Sequence, residues 1–299
     1  MTDFKLKRGI NFQPYREWKR GTDVAQERFL SEVKKAGFDH IRCPFYMGPL
    51  CDESIKSFET IKDILNLVLE SDLIPILDVH GFADLNQNVA EMRGPFVEMW
   101  RELARYLKDI DERVVFEIFN EPSCRLDDTE LLNELQLETI TAIRESNPTR
   151  WIAAATSHMN VIENLEYLKL PEDDKNIFAT IHCYYPMEFT HQGCWWDEQF
   201  RNIKDKSWGS EEEKRELKDY LEIAKNWAEK NGRHLLMGEF GVYETARMED
   251  RAAWTRYIIE IMEEYGIAWS YWEFAYGFAV YNIHENEWIL PLKKALLGE

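Results

Sequence analysis

Residues 116–123 read FEIFNEPS, an aromatic and β-branched run that ends on Asn120, Glu121 and Pro122. The composition is that of a buried strand, yet a carboxylate buried without a partner is costly. A strand that ends this way therefore delivers polar groups to a place that uses them. Working outward, this fourth run (about 114–120) has seven companions of the same kind, at about 7–12, 38–44, 73–79, 151–156, 177–183, 234–240 and 267–273. Helical patterns fill the intervals. In 22–37, Thr22 or Asp23 reads as the cap and Gly37 as the stop, and similar patterns cover 57–71, 95–108, 128–146, 211–230 and 249–265. Strands alternating with helices predict an α/β fold, a closed (β/α)8 TIM barrel rather than an open sheet. The length of 299 residues suits one catalytic domain over 1–299.

Hydrophobic residues make up 45% of the chain and charged ones 30%, so a packed core is expected and global disorder is not. The formal charge of −19 argues against nucleic acid or an anionic membrane surface as partner, because binding either begins with clustered Lys and Arg. Five cysteines, an odd number without a CxxC pair, do not look like a disulfide framework or a zinc site. The first residues, MTDFKLKRGINFQPY, hold no apolar stretch of signal-peptide length, and no segment has the length of a membrane span. The chain as written is thus expected in the cytoplasm, or outside the cell if a leader has been trimmed away. A monomer needing no cofactor or metal is expected.

In a parallel barrel the active site lies where the strands end. Those ends read Asn11, Arg42, His80, Asn120 with Glu121, Thr156, His182 with Tyr184, Glu239, and Trp272 with Glu273. Each alone has a plain structural reading: Arg42 as a salt-bridge partner, His80 as a satisfied core histidine, Trp272 as packing. Together they form a polar ring on apolar strands. Glu121 and Glu239, far apart in sequence, come to one rim if they end strands four and seven. Two carboxylates flanking a cleft are the equipment for cleaving a glycosidic bond. The stretch 184–210 is long for a loop and rich in aromatics, which marks it as functional.

Here a resemblance enters. FEIFNEP (116–122), IHCYYP (181–186), MGEFG (237–241) and SYWEF (270–274), with Arg42 and His80, resemble the retaining β-glycanases of glycoside hydrolase family 5. EFTHQG (188–193) and WEFAYGFAVY (272–281) bring the chain nearest to the bacterial thermophilic cellulases that also act on mannans. The resemblance implies Glu121 as acid/base and Glu239 as nucleophile. It implies that Asn120 bonds the sugar 2-hydroxyl and that Arg42 and Tyr184 hold the nucleophile ionised. It also puts His80 and His182 around the −1 sugar, Trp272 beneath it, and His191 and Trp196 in substrate contact from the sixth loop. Two departures stand out: that group carries two consecutive histidines after strand three, where this chain has His80 and Gly81, and a Gly-Asn after strand one, where it reads FQPYREW (12–18).

The implied activity is endo-hydrolysis of β-1,4-glucan, with glucomannan or mannan as further substrates, by double displacement. The alternatives are an exo-acting or intracellular β-oligosaccharide glycosidase and a non-catalytic carbohydrate-binding barrel. A metal hydrolase drawing on Asp78, His80, His182 and His191 fits no known ligand spacing. Trp195, Trp196, Trp208 and Trp272, and more weakly Trp18 and Trp288, are the candidate sugar platforms. A retaining pair of carboxyls should stand roughly 5–5.5 Å apart, against about 6.5–9.5 Å for an inverting pair.

Overall fold

The computed structural model describes residues 4–12, 23–47, 57–82 and 84–299. Trp18, Cys51 and residues 13–18 of the strand-one departure lie outside these, as does the proposed Thr22 cap. Eight parallel strands close into a barrel in sequence order: β1 Arg8–Asn11, β2 His40–Met47, β3 Ile74–Phe82, β4 Val115–Glu117, β5 Ile152–Ala155, β6 Ile177–His182, β7 Leu235–Glu239 and β8 Ala268–Tyr271. Pairing of Gly9 with Ser270 between β1 and β8 completes the circle. No helix among the described residues is long and apolar enough to cross a membrane.

Local chemistry sets the helices. Phe58–Glu70 starts where the Ser57 side chain accepts from Glu59 N at 3.2 Å, and it buries Ile61, Ile64, Leu65 and Val68, one stripe at helical spacing. Glu211–Asn231 opens on a capping box between Ser210 and Glu213 and stops at Gly232, whose φ of 58° suits glycine. Two helices differ from the sequence expectation. The third helix spans Val89–Tyr106 and carries Pro95 inside it, rather than beginning there. A final helix, Leu290–Leu297, was not expected because its eight residues show little periodicity. The β5–β6 interval, where no helix was read, holds the short turn Ser157–Asn160 and the 3₁₀ turn Ile162–Tyr167.

Inside the barrel, side chains alternate between the interior and the helix layer. At the floor, Leu6, Ile76, Val115, Phe178, Leu236 and Ala268 make an apolar cluster with Trp151 and Ala153, against which Phe4 packs. One residue pair further along the strands the same interior turns polar, with Arg42, Asp78, Glu117, Thr180 and Ser270 all buried. Two irregularities shape the mouth. Between β2 and β3 the register runs Phe45 with Val79, then Tyr46 with Gly81, so His80 is an extra residue. Between β6 and β7 it runs Ile181 with Met237, then His182 with Glu239, so Gly238 is extra. Bulges of this kind re-aim side chains. Strict alternation from Leu236 would send Glu239 outward to the helices; the bulge at Gly238 turns it into the barrel.

Candidate active site

Arg42 is the centre of the polar belt. Its Nε and Nη2 donate to Glu117 at 2.7 and 3.0 Å, Nη1 donates to Glu239 Oε1 at 2.8 Å and to Asn11 Oδ1 at 3.0 Å, and Nη2 also reaches Asn120 Oδ1 at 2.7 Å and Asp78 Oδ2 at 3.0 Å. One fully buried guanidinium thus serves three carboxylates and two amides. The planar fork of arginine is what allows it. Asn11 is fixed in turn, its Nδ2 donating to Gly238 O at 2.8 Å. Asn120 spends its oxygen on Arg42, which leaves the amide NH₂ as its group for any further hydrogen bond.

Glu239 is held at both oxygens: Arg42 on Oε1, and the Tyr184 hydroxyl donating to Oε2 at 2.9 Å. Burial and then the Glu239 charge push Tyr184 well above its usual pKa, so it stays a donor. Glu121 sits across from it. Its backbone has φ 45°, a left-handed residue four positions past the end of β4, and its Oε1 shares a 2.9 Å hydrogen bond with His182 Nδ1. Burial raises the Glu121 pKa above the usual carboxyl value, with His80 and Arg42 pulling it back. Oxygens of Glu121 and Glu239 and a ring nitrogen of His182 lie within 4.8 Å of one another. A cation could bridge such a trio, but both Glu239 oxygens are already taken by donors.

The histidines are neutral by burial. His80 and His182 are each held down at about 4, and His191 likewise. His80 is hydrogen-bonded to Asp78 at 2.7 Å, while burial lifts Asp78 to about 7. The His80 ring stacks on Trp272, with centroids 5.4 Å apart and planes at 7°, and meets the Tyr46 ring edge-on at 5.1 Å. Gly238 is required where it is: a Cβ there would lie 2.7 Å from Thr180 Oγ1 and 3.0 Å from His182 Nε2.

Above this machinery opens a cavity of about 1100 Å³. Glu121, Glu239, His80, His182, Tyr184, His191, Trp196 and Trp272 all line it, while Arg42 and Asn120 support it from below. His191 is buried in an aromatic cluster with Tyr184, Trp196 and Phe278. Trp195 and Glu273 also reach the cavity; Thr156 does not, its hydroxyl donating to Val161 O at 2.8 Å. Two expected platforms are placed elsewhere. Trp208 is buried in the long loop against Tyr257, and Trp288 packs on Phe38 and Tyr281 at the barrel side. Three contributors were not read from the sequence: Glu117, Tyr46 and Tyr243. For Glu117 there was a signal, a carboxylate at an inward position of an otherwise apolar strand.

A closed barrel of eight parallel strands with two carboxylates converging at its mouth is the framework of a glycoside hydrolase. Residues 4–277 match the family described as Cellulase (glycosyl hydrolase family 5), and the chain belongs to that family. It is similar to Endoglucanase C of Acetivibrio thermocellus, 29% identical with 86% of each chain covered. It is also 26% identical to Endoglucanase H of the same organism over 83% of this chain but only 27% of that protein, so it spans about a quarter of that relative's length. Among solved structures it resembles Thermotoga maritima Cel5A in complex with mannotriose, at 32% identity and a TM-score of 0.89, with 97% of both chains covered. The same Thermotoga protein has been solved with cellobiose, at 31% identity, a TM-score of 0.88 and the same coverage of both chains.

Proposed function

We propose that this glycoside hydrolase is a retaining endo-β-1,4-glycanase acting on β-1,4-glucan, with glucomannan and mannan as further substrates. The observation that carries the reading is the spacing and unequal environment of Glu121 and Glu239. Oxygens within 4.8 Å fit the short separation of a retaining pair and leave no room for the water that an inverting pair must seat between carboxyl and sugar. Arg42 and Tyr184 each donate to an oxygen of Glu239, the nucleophile; burial raises the pKa of Glu121, the acid.

In the first step Glu239 attacks the anomeric carbon as Glu121 gives its proton to the departing glycosidic oxygen. With Glu239 esterified its charge is gone, and Glu121, now a carboxylate, takes a proton from the water that releases the sugar. Asn120 offers its NH₂ to the sugar 2-hydroxyl. Trp272 supplies the flat face beneath the ring, held by its stack on His80. The mannotriose and cellobiose complexes of the Thermotoga relative support a cleft that takes both sugar types.

The test is release of reducing ends from carboxymethylcellulose, barley β-glucan, glucomannan and mannan, with Glu239→Gln as control. Cleavage of polymer that disappears in the control is expected. Glu239→Ala should regain turnover with azide and give an inverted glycosyl azide; rescue of Glu121→Ala in its place would reverse the two roles. Cleavage confined to short oligosaccharides would replace the endo reading by an exo one. Binding without turnover in the wild type would leave a carbohydrate-binding barrel.

A further inference from the structure

The chain lacks a side chain at position 81, immediately after His80, and the space is occupied from the neighbouring strand. A Cβ built on Gly81 would lie 3.2 Å from Tyr46 Cδ1 and 3.7 Å from Cε1, tighter than a side chain there tolerates without moving the ring. Tyr46 and Gly81 are paired across β2 and β3 directly after the bulge that turns His80 into the cavity. The Tyr46 ring lines that cavity and abuts His80 edge-on, and His80 stacks on Trp272, so the three rings touch in succession along the cavity.

From this geometry we infer that Tyr46 is a specificity-determining residue: its ring packs on the sugar bound along the His80 side of the cleft and favours glucosyl over mannosyl units. The inference rests on the proposed glycanase activity. An aromatic face gains most from a sugar whose C–H groups form an uninterrupted flat surface. A β-glucosyl ring, with every hydroxyl equatorial, offers two such faces; a mannosyl ring has an axial 2-hydroxyl that breaks one. Glycine at 81 leaves the Tyr46 ring its place beside His80, since a Cβ there would push the ring by a few tenths of an ångström.

The experiment measures kcat/KM on cellopentaose and mannopentaose for wild type, Tyr46→Phe, Tyr46→Leu and Tyr46→Ala, with a thermal melt of each. Tyr46→Phe keeps the ring and should hold the glucan-to-mannan ratio within about twofold. Removing the ring should lower that ratio about tenfold, the order expected for one lost stacking contact of about 1.4 kcal/mol. Tyr46→Leu fills the volume without an aromatic face, so it answers the question if Tyr46→Ala fails to fold. Equal losses on both substrates would mean a structural role and overturn the inference, as would a ratio that falls as far in Tyr46→Phe as in Tyr46→Ala. Should wild type cleave only cellopentaose, a tenfold loss in Tyr46→Leu with an unchanged melt and full activity in Tyr46→Phe supports the contact, and a loss that accompanies a lowered melt overturns it; cleavage of only mannopentaose overturns the inference. A wild type that cleaves neither sugar refutes the proposed function instead.

Discussion

The floor and the mouth of this barrel are built from the same strands, about one residue pair apart, and they are stabilised by opposite means. At the floor Ile76, Val115, Phe178, Leu236 and Ala268 exclude water and need no specific partner. Toward the mouth Asp78, Glu117 and Glu239 surround Arg42, each group tolerable only because the others are present. The floor can lose an atom and relax. The belt cannot lose a charge without leaving its partners buried and uncompensated.

The sharpest way to break that comparison is Arg42→Met, which leaves Glu117 and Asp78 without their cation. A loss of about 3–5 kcal/mol is expected in denaturant unfolding, together with loss of turnover. Turnover loss with unchanged stability would show that the belt is not held by its central charge. Next in size is Glu121→Gln, which touches chemistry alone: turnover on cello-oligosaccharides should fall by about 10²–10⁴ while the melting temperature hardly moves. Leu236→Ala at the floor should do the reverse, costing about 2–4 kcal/mol in stability with kcat nearly intact at temperatures where the variant is folded.

The smallest effect is on pH. His80, His182 and His191 are held neutral in the fold at about 4, below the ordinary histidine value of 6.5. At these three rings the unfolded chain binds more protons than the native one between those values, so their contribution is fully present above about pH 6.5 and is lost as pH falls toward 4; Asp78, lifted to about 7, binds its proton in the native state and offsets part of that decline without reversing it. Urea midpoints across that range should show the decline. A flat profile would place these rings in contact with water, against the dry belt described above.

Much of this architecture was legible in the sequence, and what was not has a common cause. Each of the eight apolar runs coincides with a strand, because period-two burial and β-branched composition are local signals. β2 and β3 run on to Met47 and Phe82, past the expected ends at 44 and 79, because their last residues pair with each other across the His80 bulge. Glu121, Glu239, Arg42, Asn120 and Tyr184 come together as read, since strand order in a barrel converts sequence position into place on the rim. The bulges themselves were invisible: Gly238 looks like any strand glycine until Thr180 and His182 are seen against it. Trp208 and Trp288 show the same limit, for an indole has the same letters whether it faces sugar or a neighbouring helix. Glu117 was passed over because it sits inside FEIF rather than at its end.

The crowding of acids around a single guanidinium also sets the electric potential of the cleft. Besides Asp78, the carboxylates Glu117 and Glu239 outnumber Arg42 until the attack of Glu239 on the sugar consumes one of the two charges. A glycosyl ring passing toward oxocarbenium character therefore develops its positive charge in a field already oriented to receive it, with little reorganisation left to do. The belt that holds the barrel mouth together is, in this sense, an electrode aimed at the anomeric carbon.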